Sequence, residues 1–94
     1  MGPMTEALRQ VQDGVASAWC QRAYDGPGGS HCLVGWVYTT AKPLGITTTA
    51  SFLDECLRDY CKSPSLSSFN DDSSHEDVLL FLDEAITAAE DLGL

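Results

Sequence analysis

Four cysteines and two histidines are the residues of this 94-residue chain that could carry covalent or metal chemistry. A thiol beside an imidazole is the minimum for a thiolate nucleophile, and the candidates are Cys20 and Cys32 with His31 or His75. Adjacent side chains on a helix diverge by about 100°, so the neighbours His31 and Cys32 would not form such a pair. The sequence therefore predicts no catalytic residues and a protein that is not an enzyme.

The same residues fit a metal site poorly. Zinc sites use short cysteine spacings, whereas eleven residues separate Cys20 from Cys32 and four separate Cys56 from Cys61. Residues five apart on a helix point about 140° from each other, so Cys56 and Cys61 would not share a ligand face. We expect reduced cysteines without metal, acting as small core residues, and no cofactor.

Polar residues near the middle and end of the chain are the remaining candidates. Asn70-Asp71-Asp72 lacks the twelve-residue spacing and the closing glutamate of a calcium loop. Asn and Asp commonly order turns, so Asn70 and Asp71 are predicted to order a loop before the last helix. Trp19 and Gln21 could line a ligand pocket; if Trp19 is in the core instead, a buried Gln21 would bond to loop backbone.

Charge is distributed unevenly along the chain. Fourteen acids and five bases give a net charge of −9, and all of it arises in residues 54–94 because residues 1–53 hold three acids and three bases. An acidic surface repels phosphate backbones, which argues against direct nucleic-acid binding. It could instead bind a basic protein, imitate DNA, or only keep the domain in solution.

Neither a membrane span nor a secretory signal is predicted. The longest apolar run, residues 78–82, is far below the ~20 residues that cross a bilayer, and the N-terminus lacks a basic and then apolar leader. We therefore expect a cytoplasmic protein without membrane contact. Gly2-Pro3 before a second methionine, Met4, suggests that residues 1–3 are a cloning remnant or an alternative start, with one domain over residues 4–94.

The last third of the chain predicts an amphipathic helix over residues 74–92. Its apolar residues recur at helical spacing: Val78, Phe81, Leu82, Ala85, Ile86, Ala89 and Leu92. Ser73 or Ser74 can cap its first turn. The opposite face holds an exposed leucine among polar residues, and we predict that this face binds a partner; it comprises Leu80, Asp83, Glu84, Thr87, Glu90 and Asp91.

Three further helices would cover this one in an all-α bundle of about four short helices. They are predicted near residues 5–20 with Thr5 as the cap, 31–41, and 49–62 with Thr48 or Thr49 as the cap. Residues 31–41 have strand propensity, but a lone strand would leave its backbone groups unpaired. Residues 63–68 are predicted to be a polar loop. The predicted core is Trp19, Leu33, Trp36, Phe52, Leu57, Val78, Leu82 and Ile86.

Several blocks of this sequence resemble a small domain of unknown function from actinobacteria and their phages. The blocks are Trp19-x-Gln21, Cys32-Leu33-x-Gly35, Asn70-Asp71 and Glu76-x-Val78-Leu79-x-x-Leu82-Asp83-x-Ala85-Ile86. The chain departs from this pattern at Trp36, Phe69, His75 and Asp77. The resemblance implies an all-helical fold and an actinobacterial or phage source, and it supplies no activity. We interpret Trp19, Gln21, Cys32, Gly35, Asn70 and Asp71 as its structural motif.

Three functions are compatible with these observations. The favoured one is a small, acidic, phage-encoded interaction protein that binds and modulates a host or cellular protein through the acidic face of its last helix. The second is a small ligand-binding domain or enzyme that uses Gln21, Asn70 and the cysteine thiols. The third is a DNA mimic that inhibits a nucleic-acid-binding protein. The sequence leaves open whether the protein is a monomer or a homodimer.

Overall fold

The computed structural model describes residues 2–22, 25–40, 45–61, 63 and 65–94. This part of the chain contains five α-helices and one 3-10 turn, at Pro27–Gly29. The helices are α1 (Pro3–Ser17), α2 (Leu33–Thr40), α3 (Ile46–Tyr60), α4 (Leu66–Asp72) and α5 (His75–Asp91). No β-strand occurs among the described residues, where β-pairing is limited to isolated bridges of His31 with Trp19 and Asp25. The all-α prediction is confirmed.

Helix α5 is the centre of the bundle and packs against α1 and α3. Its predicted apolar stripe is buried from the first turn to the last: Val78, Phe81, Leu82, Ala85, Ile86 and Ala89. Ser74 is the N-cap, and its hydroxyl accepts a hydrogen bond from the Asp77 amide at 3.1 Å. The predicted position and phase of this helix are therefore confirmed. None of the helices in the described ranges is long and apolar enough to cross a membrane.

The end of α5 departs from the predicted stripe, because Leu92 is 68% exposed. Gly93 has φ 72° and donates to the Glu90 carbonyl at 3.1 Å, while the Leu94 amide donates to the Ala89 carbonyl at 2.9 Å. These two bonds form a Schellman motif, which needs a left-handed residue and therefore favours glycine. Leu92 precedes this turn and keeps the helical phase, since its amide still donates to the Ala88 carbonyl at 3.1 Å, but at the C-cap the bundle leaves its side chain uncovered.

The start of α1 differs from the prediction. Gly2 is the N-cap and Pro3 the first helical residue, so both lie in the folded domain, which is predicted to begin only at residue 4. Thr5, the predicted cap, is fully buried inside the helix. The reason is a long-range contact, since the Leu94 carbonyl accepts from the Met4 amide at 2.8 Å and occupies the position of a capping group.

Helix α1 also ends three residues earlier than predicted, at Ser17. Beyond it the Cys20 amide donates a hydrogen bond to the His31 carbonyl at 3.2 Å. His31 also donates its amide to the Ala18 carbonyl at 3.0 Å. This pairing carries the chain from α1 toward the start of α2. Residues 33–40 then form a helix rather than a strand, as predicted, but the helix starts two residues later than the predicted residue 31, because His31 is held in the bridges with Trp19 and Asp25; position 41 lies outside the described residues.

Helix α3 begins at Ile46, about three residues before the predicted start. Gly45, with φ 84°, is its N-cap, so Thr48 and Thr49 lie inside the first turn instead of capping it. Thr49 is fully buried, so its hydroxyl needs a hydrogen-bond partner within the protein. Its hydroxyl lies 3.4 Å from the Gly45 carbonyl, so the polar group remains paired.

Helix α4 is absent from the prediction, which has a polar loop over residues 63–68 and a turn at Asn70. Ser65 caps it by accepting from the Ser68 amide at 3.1 Å. Leu66 and Phe69, three residues apart, are buried on one side. A seven-residue helix is too short to be stable alone, so its apolar contacts with the bundle decide its formation.

Core composition agrees with the prediction in part. Leu33, Leu57, Val78, Leu82 and Ile86 are buried, whereas Trp19, Trp36 and Phe52 are partly buried and pack against the core from its edge. Indole N–H groups need acceptors, and the Trp36 Nε1 donates to the Ala18 carbonyl at 2.8 Å. The centre holds Phe69 and Phe81 instead, with ring centroids 5.1 Å apart.

We expect Ser74→Ala to lower the free energy of unfolding by about 1 kcal/mol, because it removes the N-cap of the central helix. Ser73→Ala is the matched control, since the contact of Ser73 with Gln21 uses its main-chain carbonyl and survives the change. Urea unfolding of both variants measures the difference. Equal stabilities would contradict the capping role of Ser74.

Candidate functional site

Asn70 is the most connected polar residue in the described chain, and it is fully buried on α4. Its Oδ1 accepts from the Trp19 indole at 2.6 Å and from the Leu33 amide at 2.9 Å. Its Nδ2 donates to the Cys20 carbonyl and to Asp71 Oδ1, both at 3.2 Å. All four hydrogen bonds that an amide side chain can make are therefore formed. Asn70 joins α4, the start of α2 and the segment after α1.

Gln21 reinforces the same junction. Its Nε2 lies 2.7 Å from the Ser73 carbonyl, 3.2 Å from the Asp71 carbonyl and 3.4 Å from the Asn70 carbonyl. The last carbonyls of a helix have no partners within that helix, so Gln21 caps the C-terminus of α4. Gln21 thus bonds to backbone, as its predicted structural role requires, although to the end of a helix rather than to a loop.

Cys32 and Gly35 complete the junction at the start of α2. Cys32 is buried immediately before the helix, and its sulfur accepts from the Gly35 amide at 3.4 Å. The thiol therefore occupies the N-cap position that a serine hydroxyl would normally take. Together with the Asn70 side chain on the Leu33 amide, it satisfies two of the unpaired donors of this helix end.

Asp71 forms hydrogen bonds at the edge of the junction. Its Oδ1 accepts from the Arg22 amide at 2.7 Å, and this bond, with the Asn70 side chain second, lowers the pKa of the Asp71 carboxyl. Arg22 has φ 60°, a backbone conformation that is uncommon outside glycine, so the contact fixes an unfavourable turn. Asn70 and Asp71 lie in α4, which corrects their predicted place in a loop.

All six residues of the predicted structural motif meet at this junction, which we call the Asn70 cluster: Trp19, Gln21, Cys32, Gly35, Asn70 and Asp71. They come from three parts of the chain and all lie within residues 2–88. A model of a family of unknown function, DUF6197, matches residues 2–88. The chain belongs to DUF6197. No curated protein and no solved structure matches it.

In this DUF6197 chain the two histidines pack against tryptophans at separate places. His31 Nδ1 lies 2.8 Å from Asp25 Oδ1, and its ring meets Trp36 edge-on with centroids 4.7 Å apart.

His75 stacks on Trp19 with centroids 5.0 Å apart, and its Nε2 lies 2.6 Å from the Val15 carbonyl. Among the described residues, no three His, Cys, Asp or Glu side chains form a group that could hold a metal ion.

The four cysteines take different positions. Cys32 is buried, Cys56 and Cys61 are partly buried and pack against the core, and Cys20 is partly buried beside the Asn70 cluster. Burial raises the pKa of the Cys56 thiol, and the charges of Asp59 and Glu55 raise it further. A raised thiol pKa reduces the thiolate fraction, so Cys56 is not activated as a nucleophile.

The predicted partner-binding face of DUF6197 helix α5 is exposed in the structure. Leu80 is 47% exposed, and the five polar residues around it, Asp83, Glu84, Thr87, Glu90 and Asp91, are all exposed. Two of them contact α1, where Gln12 Nε2 donates to Asp83 Oδ1 at 2.5 Å and Arg9 lies 3.5 Å from Glu90. Among the described residues, neither Glu84 nor Asp91 forms an ion pair, so negative charge is concentrated away from α1.

A groove of about 400 Å³ lies between α3 and α5, lined by Cys56, Asp59, Tyr60, Glu84 and Ala88. Glu84 therefore belongs both to the groove and to the exposed face of α5. The sequence does not reveal this groove, because Tyr60 follows Cys56 by four residues and its spacing is that of a buried helix face. Tyr60 is 40% exposed, since α3 ends there and no later turn covers it.

Proposed function

We propose that this DUF6197 domain is an interaction module that binds a basic protein through the exposed face of α5, with Leu80 as the apolar centre. The observation that carries the proposal is a large aliphatic side chain exposed at 47% among carboxylates, on the helix that organises the core. The face is already exposed on a helix whose other side is buried, so no rearrangement of the domain is needed to present it. The expected partner is a host or cellular protein, in keeping with the phage or actinobacterial source that the resemblance implies.

The physical basis is a division of roles between apolar and charged groups. A hydrophobic residue that loses water at the centre of an interface contributes most of the affinity, whereas charges at the rim increase the association rate and select the partner. Leu80 would take the first role and Glu84 and Asp91 the second. The net charge of −9 adds a long-range attraction for a basic surface.

Leu80→Asp is the decisive variant. We expect it to weaken partner binding by about 1 kcal/mol or more, roughly fivefold in Kd, while the melting temperature stays nearly constant because the position is exposed. The partner is first isolated from actinobacterial lysate and identified by mass spectrometry, and its affinity is then measured with purified proteins. Glu84→Lys should mainly slow association at low salt.

Leu92→Asp is the matched control, because Leu92 is an exposed leucine at the C-cap of the same helix and lies about 120° around the axis from Leu80. It should leave the affinity unchanged. Equal affinities for the two variants would reject the proposed surface. Unfolding caused by Leu80→Asp would show instead that Leu80 contributes to the core.

The alternative functions have less support. A ligand site built on Gln21 and Asn70 would have to compete with hydrogen bonds that these amides already make to backbone and indole groups. A DNA mimic would rely on charge, so the added carboxylate of Leu80→Asp would maintain or strengthen its binding. The same variant therefore distinguishes a DNA mimic from an interface with an apolar centre.

A further inference from the structure

One wall of the groove between α3 and α5 is the aromatic ring of Tyr60. The Tyr60 ring meets Phe81 at a centroid distance of 5.4 Å and Phe69 at 6.1 Å, both in edge contacts with rings of the buried core. Two buried rings thus hold a tyrosine whose surface remains 40% exposed. Cys56 and Ala88 add small, mainly apolar wall positions.

Carboxylates from two helices stand at the same groove, Asp59 on α3 and Glu84 on α5. The pKa of the Cys56 thiol is raised first by burial and then by the charges of Asp59 and Glu55, so α3 brings negative charge to this groove. Arg58 follows Cys56 by two residues on α3 and therefore projects about 160° away from it. Among the described residues, no ion pair engages Asp59 or Glu84.

We propose that this groove receives an arginine side chain of the basic partner; the inference rests on the proposed function and names the partner's anchor. A guanidinium is flat, weakly hydrated and always charged, so it can stack on an aromatic ring while it donates to carboxylates on either side. The methylene stem would lie along Ala88 and Cys56. A lysine ammonium lacks the plane that stacks on Tyr60 and binds less well.

The test is an NMR titration of the intact chain with N-acetyl-arginine methylamide. We expect saturable shifts at Tyr60, Cys56 and Ala88, and a clearly weaker response to the lysine analogue. The citrulline analogue, which has the same shape without the charge, should give no saturable shifts. Asp59→Asn and Glu84→Gln should each weaken binding about threefold, while Asp72→Asn, an exposed change on α4, should not.

The inference is overturned if the citrulline or lysine analogue binds as tightly as arginine, if the shifts map elsewhere, or if none saturates. Thermal melts of the three variants show that their folds are intact, as expected for neutral replacements of exposed side chains. The titration does not involve Leu80, so its outcome is independent of the Leu80→Asp result. Partner binding that depends on Leu80 without any arginine binding would reject the groove alone, and the reverse result would reject the Leu80 surface alone.

Discussion

Asn70→Ala is expected to lower the free energy of unfolding by about 3 kcal/mol or more. The change removes four hydrogen bonds at a fully buried position and takes the Asn70 acceptor away from the Trp19 indole and the Leu33 amide. Unpaired buried polar groups cost more than the bonds contribute when formed, so the loss exceeds that of a surface hydrogen bond. Urea unfolding with an unchanged m-value would measure it.

Asn70→Asp tests the donor role of the Asn70 side chain separately from its acceptor role. The aspartate retains oxygen acceptors for Trp19 and Leu33, but it places an oxygen opposite the Cys20 carbonyl and Asp71 Oδ1. We therefore expect this variant to be destabilised as well. Asp72→Ala on the exposed side of α4 is the control and should change stability by less than about 0.5 kcal/mol. If Asn70→Ala is no more destabilised than this control, the cluster does not hold the fold.

Gly14→Ala is expected to destabilise the domain by about 2 kcal/mol, although alanine is the better helix former by about 1 kcal/mol. A Cβ on Gly14 would lie 2.4 Å from a ring carbon of Trp36. The indole cannot easily move, because its N–H donates to the Ala18 carbonyl at 2.8 Å and its ring contacts His31. Thermal and urea unfolding measure the change.

The cause can be isolated by repeating Gly14→Ala in a Trp36→Leu background. Removal of the indole leaves room for the methyl group, so in that background the helix propensity of alanine should dominate and the substitution should become neutral or stabilising. A loss of equal size in both backgrounds would show that the contact with Trp36 is not the cause. An increase in stability from Gly14→Ala alone would contradict the prediction directly.

Helix α5 and its exposed face could be predicted from the sequence because both depend on local periodicity. Residues three and four apart on a helix share a face regardless of what packs against it, so the burial of Val78 and Leu82 and the exposure of Leu80 follow from spacing. The cap at Ser74 is likewise local, since its hydroxyl bonds to an amide three residues later. The helical spacing of its apolar residues thus determined α5, the helix on which the proposed function depends.

Contacts between distant segments decided the rest. Helix α4 has only two buried apolar side chains and a sequence rich in serine and aspartate, so it forms because the bundle covers Leu66 and Phe69. The start of α1 depends on the Leu94 carbonyl, and the cost of a methyl group at Gly14 depends on a tryptophan 22 positions later.

The candidate sites divide in the same way. Sequence resemblance grouped the residues of the Asn70 cluster, but only the folded chain brings Gln21 to the last carbonyls of α4 and Asn70 to the first amide of α2. The groove beside Tyr60 arises because α3 ends there while α5 continues past it, and no periodicity within one helix can predict a space between two. Spacing along a helix is a property of the sequence, whereas the partners of its ends and the gaps between its neighbours are properties of the tertiary structure.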